Sequence, residues 1–143
     1  MKHKFLLFSL LLFSMLLFGC STNSLKADIK EIEAVKIAHF NGFSTESKDF
    51  IVTFNEVEDK KVFVHAINSA VKLDGIADVT EADYNIHLLS KDDQMEIFHL
   101  WLEEDFSDGS IMNVKDSSTL YKLTKKALNN MKDILSKVDL ETK

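Results

Sequence analysis

Arginine and proline are absent from this chain of 143 residues, cysteine occurs once, and glycine only four times. The missing arginines exclude bidentate clamps on phosphate or carboxylate, which depend on the planar guanidinium fork. Without proline there is no polyproline linker. A single cysteine cannot close an internal disulfide, so the fold must stand on packing. Four glycines and no glycine-rich loop leave a phosphate cradle without support. Positive charge is scarce as well: 17 lysines face 23 acids, a net charge of −6. An acidic chain is a poor partner for nucleic acid, whose binding rests on neutralising phosphates. It is also repelled by anionic lipid heads.

The N-terminus carries a clear signal. Lys2 and Lys4 precede an uncharged run from Phe5 to Phe18, the arrangement of a secretory signal peptide. The stretch is short for a membrane span, which needs about 20 residues. Its end, Leu17-Phe18-Gly19-Cys20, resembles the lipobox of bacterial lipoproteins. By that resemblance, signal peptidase reads Leu17, Phe18 and Gly19 and cuts after Gly19. Cys20 then carries a diacylglyceryl thioether with palmitate-type chains. Phe18 departs from the pattern, since that position is usually small, and this departure is expected to slow processing. The chain then divides into three segments: a signal peptide over 1–19, a lipidated N-terminus and flexible tether over 20–32, and a single α+β domain over 33–140. Cleavage would remove Lys2 and Lys4, leaving 15 lysines against 23 acids, net −8.

Periodicity within the domain predicts the elements. Alternation over Glu33 to Phe43 and Asp49 to Phe54 predicts two strands, the second with Phe50, Val52 and Phe54 on one face. Glu58 to Leu73 predicts a helix with two apolar rows, Val62, Ala66, Ala70 and Phe63, Ile67, Val71. Asp59 is its cap or a first-turn acid, and Asp74-Gly75 stop it. Ala82 to Leu89 and Gln94 to Leu102 predict a hairpin around Ser90 to Asp93, with residues 89 and 94 paired. That register puts Tyr84, Ile86 and Leu88 on the face of Met95, Ile97, His99 and Trp101, with His87 on the other. Ser110 to Val114 and Thr119 to Leu123 predict short strands. Thr124 caps a second helix to about Val138, burying Leu128, Met131, Ile134, Leu135 and Val138. The expected fold is α+β: a mainly antiparallel sheet with two helices packed on one face.

The segment from Asp83-Tyr84 through His99-Leu100-Trp101-Leu102, the acidic turn, Gly109-Ser110-Ile111-Met112 and Thr119-Leu120-Tyr121-Lys122-Leu123-Thr124 resembles the YhfM-like domain of small lipoproteins from Bacillus and related Gram-positive bacteria. The resemblance covers about residues 33–137. It implies an extracytoplasmic lipoprotein and carries over no catalytic residues.

Candidate chemistry is thin. His39, His65, His87 and His99 show no metal-ligand spacing, and the expected register turns His87 and His99 to opposite faces. Ser69 and Lys72 match Ser-x-x-Lys without its companion motifs. Glu103, Glu104, Asp105 and Asp108 are the densest acidic run. Such oxygens can hold calcium, but the run lacks EF-hand spacing, and a solvated turn holding calcium only in the millimolar range is expected. Neither a metal nor a cofactor is expected beyond the lipid on Cys20.

The expected function is therefore a non-enzymatic binding or accessory domain, anchored on the outer face of the cytoplasmic membrane of a Gram-positive bacterium. It would be a monomer that contacts an envelope protein, a peptide or a small ligand, and not nucleic acid. Two alternatives come from other classes. One is a small hydrolase-like enzyme using acids near 103–108, which a pocket gathering two carboxylates would favour. The other is a structural envelope protein, which would self-associate.

Overall fold

The computed structural model describes residues 24–43 and 49–138. Leu17, Phe18, Gly19 and Cys20 lie outside the described residues. Seven strands make one sheet: β1 Ile32–His39, β2 Phe50–Phe54, β3 Val71–Lys72, β4 Tyr84–Ser90, β5 Met95–Leu102, β6 Gly109–Asn113 and β7 Tyr121–Lys122. Their order across the sheet is β2-β1-β4-β5-β6-β7-β3, and every pairing is antiparallel. Among the described residues two helices accompany it, α1 Val57–Ser69 and α2 Lys125–Leu135.

This corrects the α+β expectation. Among the described residues the architecture is sheet-dominated, one continuous seven-stranded sheet with no parallel pair. It includes a strand, β3, where the apolar row predicts helix. Helix α1 ends at Ala70, whose extended backbone (φ −66, ψ 141) starts the run into β3. The apolar row continues for another turn in the sequence, but a strand partner in β7 takes Val71 and Lys72 instead. Val71 is consequently exposed rather than packed. Gly75 does adopt the left-handed backbone expected of a stop (φ +101), but only after the helix has ended and β3 has passed.

The hairpin β4–β5 carries the second correction. Leu89 pairs with Met95, not with residue 94. Because side chains alternate with period two, a slip of one residue exchanges the faces. Tyr84, Ile86 and Leu88 therefore share a face with Phe98 and Leu100. Asn85, His87 and Leu89 share the other with Met95, Ile97, His99 and Trp101. The turn explains the slip. The Ser90 amide donates to the Gln94 carbonyl, leaving a three-residue loop, and Asp93 takes φ 61 within it. Aspartate tolerates that left-handed conformation better than most residues.

The first face is the core. Val35, Ile37, Phe54, Ile86, Leu88, Phe98, Leu100 and Ile111 meet Phe63, Ala66 and Ile67 of α1 and Leu128, Met131, Ile134 and Leu135 of α2. Thr124 caps α2, its hydroxyl accepting from the Ala127 amide at 3.3 Å. Lys60, buried on α1, donates to the carbonyls of Ile32 and Glu33 at 3.1 and 2.9 Å, fixing the start of α1 to the start of β1. In the segment expected as tether, Leu25, Ala27 and Ile29 pack on this core.

A bulge changes one further residue. Ile37 pairs with Val52, but Ala38 pairs with Phe50, so Ile51 is the extra residue. An extra residue in one strand reverses the facing of the residues beyond it. Phe50 thereby leaves the face of Val52 and Phe54 and meets His87 on the second face, rings 5.1 Å apart.

Candidate functional site

Strand β5 ends at Leu102, and residues 103–108 turn back into β6. The Phe106 amide donates to the Glu103 carbonyl (2.9 Å) and the Glu103 amide to the Asp108 carbonyl (3.1 Å). Beside this turn runs the segment leading into β4. The indole N–H of Trp101 donates to the Thr80 carbonyl at 3.1 Å, and the Asp83 carboxylate accepts from the Leu102 amide at 2.8 Å. Between the two segments lies an open cleft of about 250 Å³, lined by Thr80, Glu81, Asp83, Trp101, Glu103, Asp108 and Ser110 among others.

The acidic run divides here. Glu103 and Asp108 line the cleft, whereas Glu104 and Asp105 are absent from its lining. Glu81 and Asp83, which the sequence did not single out, complete the acidic wall. Their signal was available only as Glu-Ala-Asp alternation ahead of β4, which places both on one side of an extended segment. Asp105 turns inward to its own loop, accepting from the Ser107 amide at 2.8 Å, and hydrogen bonds from Ser107 hold its carboxyl below the usual carboxylate range. Asp108 is held low chiefly by Lys122, whose ammonium lies 2.6 Å from one oxygen, and by the Gly109 amide at 2.7 Å from the other. A carboxyl so placed stays ionised and is a poor proton donor. Among the described residues no three His, Cys, Asp or Glu side chains converge as metal ligands. The wall, with Trp101 beside the carboxylates, is suited to attracting cations.

Gly109 closes the floor. A Cβ there would sit 2.8 Å from the Leu128 side chain of α2, a clash, and at a tight 3.0 Å from the Trp101 carbonyl. The missing side chain is what lets α2 approach the β5–β6 turn.

The second sheet face holds His87 and His99, whereas His39 of β1 stacks on Tyr84 on the first face, ring centres 5.9 Å apart. His87 and His99 lie on the same face, which corrects the expectation that they oppose each other. Asn85, His87 and His99 are all buried. The His99 Nε2–H donates to the Phe43 carbonyl at 3.1 Å. Its Nδ1 lies 2.7 Å from the Asn85 side-chain amide. Burial lowers the His99 pKa, which favours the neutral ring, whose second nitrogen must accept. A half-turn of the Asn85 amide then supplies the donor, and Nδ2, otherwise buried without a partner, finds one. Phe40, Phe43 and Trp101 surround His99 edge-on, with ring centres 5.2, 5.5 and 6.1 Å away. Ser69 reaches the Thr124 hydroxyl at 3.5 Å, a contact between helix ends. His65 is exposed on α1.

A family model described as YhfM protein matches residues 33–141. No curated protein matches the chain. Among solved structures, the chain is similar to a thioesterase-like protein from Clostridium sporogenes, with a TM-score of 0.54 and 17% identity over 81% of this chain and all of that one. At that identity the likeness is one of fold.

Proposed function

From the premise that this chain belongs to the YhfM family, we propose that it is a lipoprotein whose extracytoplasmic domain binds a cationic ligand in the acidic cleft. Cys20 carries the lipid and holds the domain on the outer face of the cytoplasmic membrane. The observation that carries the binding reading is the cleft wall of Glu81, Asp83, Glu103 and Asp108 beside Trp101. Lys122 pairs with Asp108 alone, so the remaining carboxylates give the wall a negative field. A lysine-rich peptide segment or an organic amine has the matching charge and can lie against the indole.

The test is calorimetric titration of a domain beginning at Ser21 with an oligolysine peptide. Saturable binding that weakens with added salt and is lost in the Asp83→Asn, Glu103→Gln double variant is the expected result. Equal binding by the double variant would remove the cleft from consideration. A second reading, a small hydrolase-like enzyme, is supported by the fold likeness and by the carboxylates gathered in the same cleft. Turnover of a model thioester, lost in Glu103→Gln, would favour it over binding alone.

A further inference from the structure

The largest exposed apolar residues of the described chain include three close together in sequence: Val71 at 59%, Leu73 at 38% and Ile76 at 90% exposed. They occupy β3 and the loop after it, the free edge of the sheet. Nothing lies within 4 Å of where a Cβ on Gly75 would stand, so the loop projects into open space. Three such side chains on one projecting segment are an unusual exposure of apolar surface for an acidic domain.

The other end of the chain runs to the same place. The Ala27 amide donates to the Asn68 side-chain oxygen at 2.7 Å, and the Asn68 side-chain nitrogen donates back to the Ala27 carbonyl at 2.8 Å. Asn68 stands at the C-terminal end of α1, three residues before Val71. Only Ser21 to Asn23 separate Cys20 from the first described residue, Ser24. Four residue steps span at most about 14 Å. A lipid on Cys20 therefore cannot lie far from the end of the molecule where α1 gives way to β3.

We infer that Val71, Leu73 and Ile76 rest in the interface of the bilayer that holds the protein's own lipid, so that the domain is oriented on the membrane and not merely tethered to it. This rests on the reading of Cys20 as the lipid attachment site. The lipid supplies the attachment, and the short tether raises the effective concentration of the patch at the surface, so three side chains suffice to set an orientation. The local charge is small: Lys26 and Lys72 are exposed beside Asp28, Asp74 and Asp78, a net of −1, so repulsion from anionic lipid heads is weak at this patch. Edge pairing with a second copy is the poorer fit, because β3 offers only two residues of strand. The orientation also brings the cleft near the surface: Val71 pairs with Lys122, and Lys122 holds Asp108 of the cleft wall.

The experiment uses the full-length lipidated protein, reconstituted in vesicles of phosphatidylglycerol and phosphatidylethanolamine. An Ile76→Cys variant takes a nitroxide label at the only free thiol, the Cys20 sulfur being consumed in the thioether. Lys91→Cys serves as the distal control, since the Lys91 amide bonds to the Glu31 carbonyl near the start of α1, away from Asn68. The expected result is that the label at 76 collides with oxygen in preference to a water-soluble relaxant, while the label at 91 does the reverse. Adding Leu73→Asp should abolish the lipid signature at 76 without releasing the protein from the vesicles. A lipidated protein whose two labels are equally aqueous overturns the inference and leaves the anchor standing. An intact mass without lipid overturns the anchor and the inference together. Label-to-label coupling at 76 that persists in detergent assigns the patch to a second copy and overturns the inference.

Discussion

The two faces of the sheet are built on different principles. On the helix face, aliphatic and aromatic side chains from across the sheet meet two amphipathic helices, and the buried ammonium of Lys60 is held there by two carbonyls. On the other face, Asn85, His87 and His99 are as thoroughly buried, but among rings and polar atoms. Burial of apolar surface is forgiving of detail and roughly additive in area. Burial of polar groups holds only while each finds its partner. The first face should therefore dominate stability, and the second should be sensitive to single atoms and to pH.

Removing α2 is the strongest way to break this contrast. A chain ending before Thr124 loses the buried Leu128, Met131, Ile134 and Leu135. Each is worth roughly 1.5–3 kcal/mol, and their sum rivals the whole stability of an ordinary domain, about 5–15 kcal/mol. No cooperative thermal transition is expected. A native-like melt would show that the second face supports the sheet alone.

Asn85→Ala tests the second face directly. It removes the partner of His99 Nδ1, leaving a buried ring nitrogen without a hydrogen bond, at a cost of about 1–3 kcal/mol. Denaturant unfolding should show that loss with an unchanged slope. The pH dependence comes from the same ring. His99 has a lowered pKa when folded against its ordinary 6.5, because burial disfavours the charged form. The unfolded chain thus binds the proton more readily, and stability is full above 6.5 and falls as pH drops below it. His99→Gln should flatten the fall in melting temperature below pH 6.5. The carboxylates held low, Asp105, Asp108 and Asp116, lose their contributions only under more acidic conditions. A decline of equal slope in the variant would place the titration elsewhere.

The smallest effect belongs to the cleft rim. Lys122 and Asp108 are each about half exposed, at 53% and 49%, and such pairs contribute about 0–1 kcal/mol. Lys122→Met should leave the melting temperature nearly unchanged. It frees the Asp108 carboxylate, however, and should tighten oligolysine binding. A large loss of stability would make this pair structural.

The elements were legible where periodicity and end signals agreed. Thr124 ahead of apolar residues at three- and four-residue spacing marked α2, and the alternation over Val35 and Ile37 marked β1. The end of α1 was not legible, because Val71 continues the helical row and only the competition from β7 removes it. Nor was the face of the histidines. It depends on whether the turn after Ser90 holds three residues or four, and that depends on one backbone angle at Asp93. The acidic turn was visible as a charge run, yet half of it is absent from the cleft lining. Glu81 and Asp83 lie well upstream, brought alongside by the β4–β5 pairing.

From its order of residues alone this chain determined its single apolar core, the Thr124 cap and apolar stripe of α2, its acidic charge and the pattern that resembles a lipobox. These depend on neighbours within a few positions, where propensity and hydrophobic period act directly. Only the tertiary structure decided which residues share a face, that Val71 joins an edge strand, that Phe50 crosses to His87, and which four carboxylates line one cleft. Val71 is taken by a distant strand partner, and the facing of Phe50 and the histidines turns on register, set by a turn or a bulge of one residue whose effect is carried along the strand.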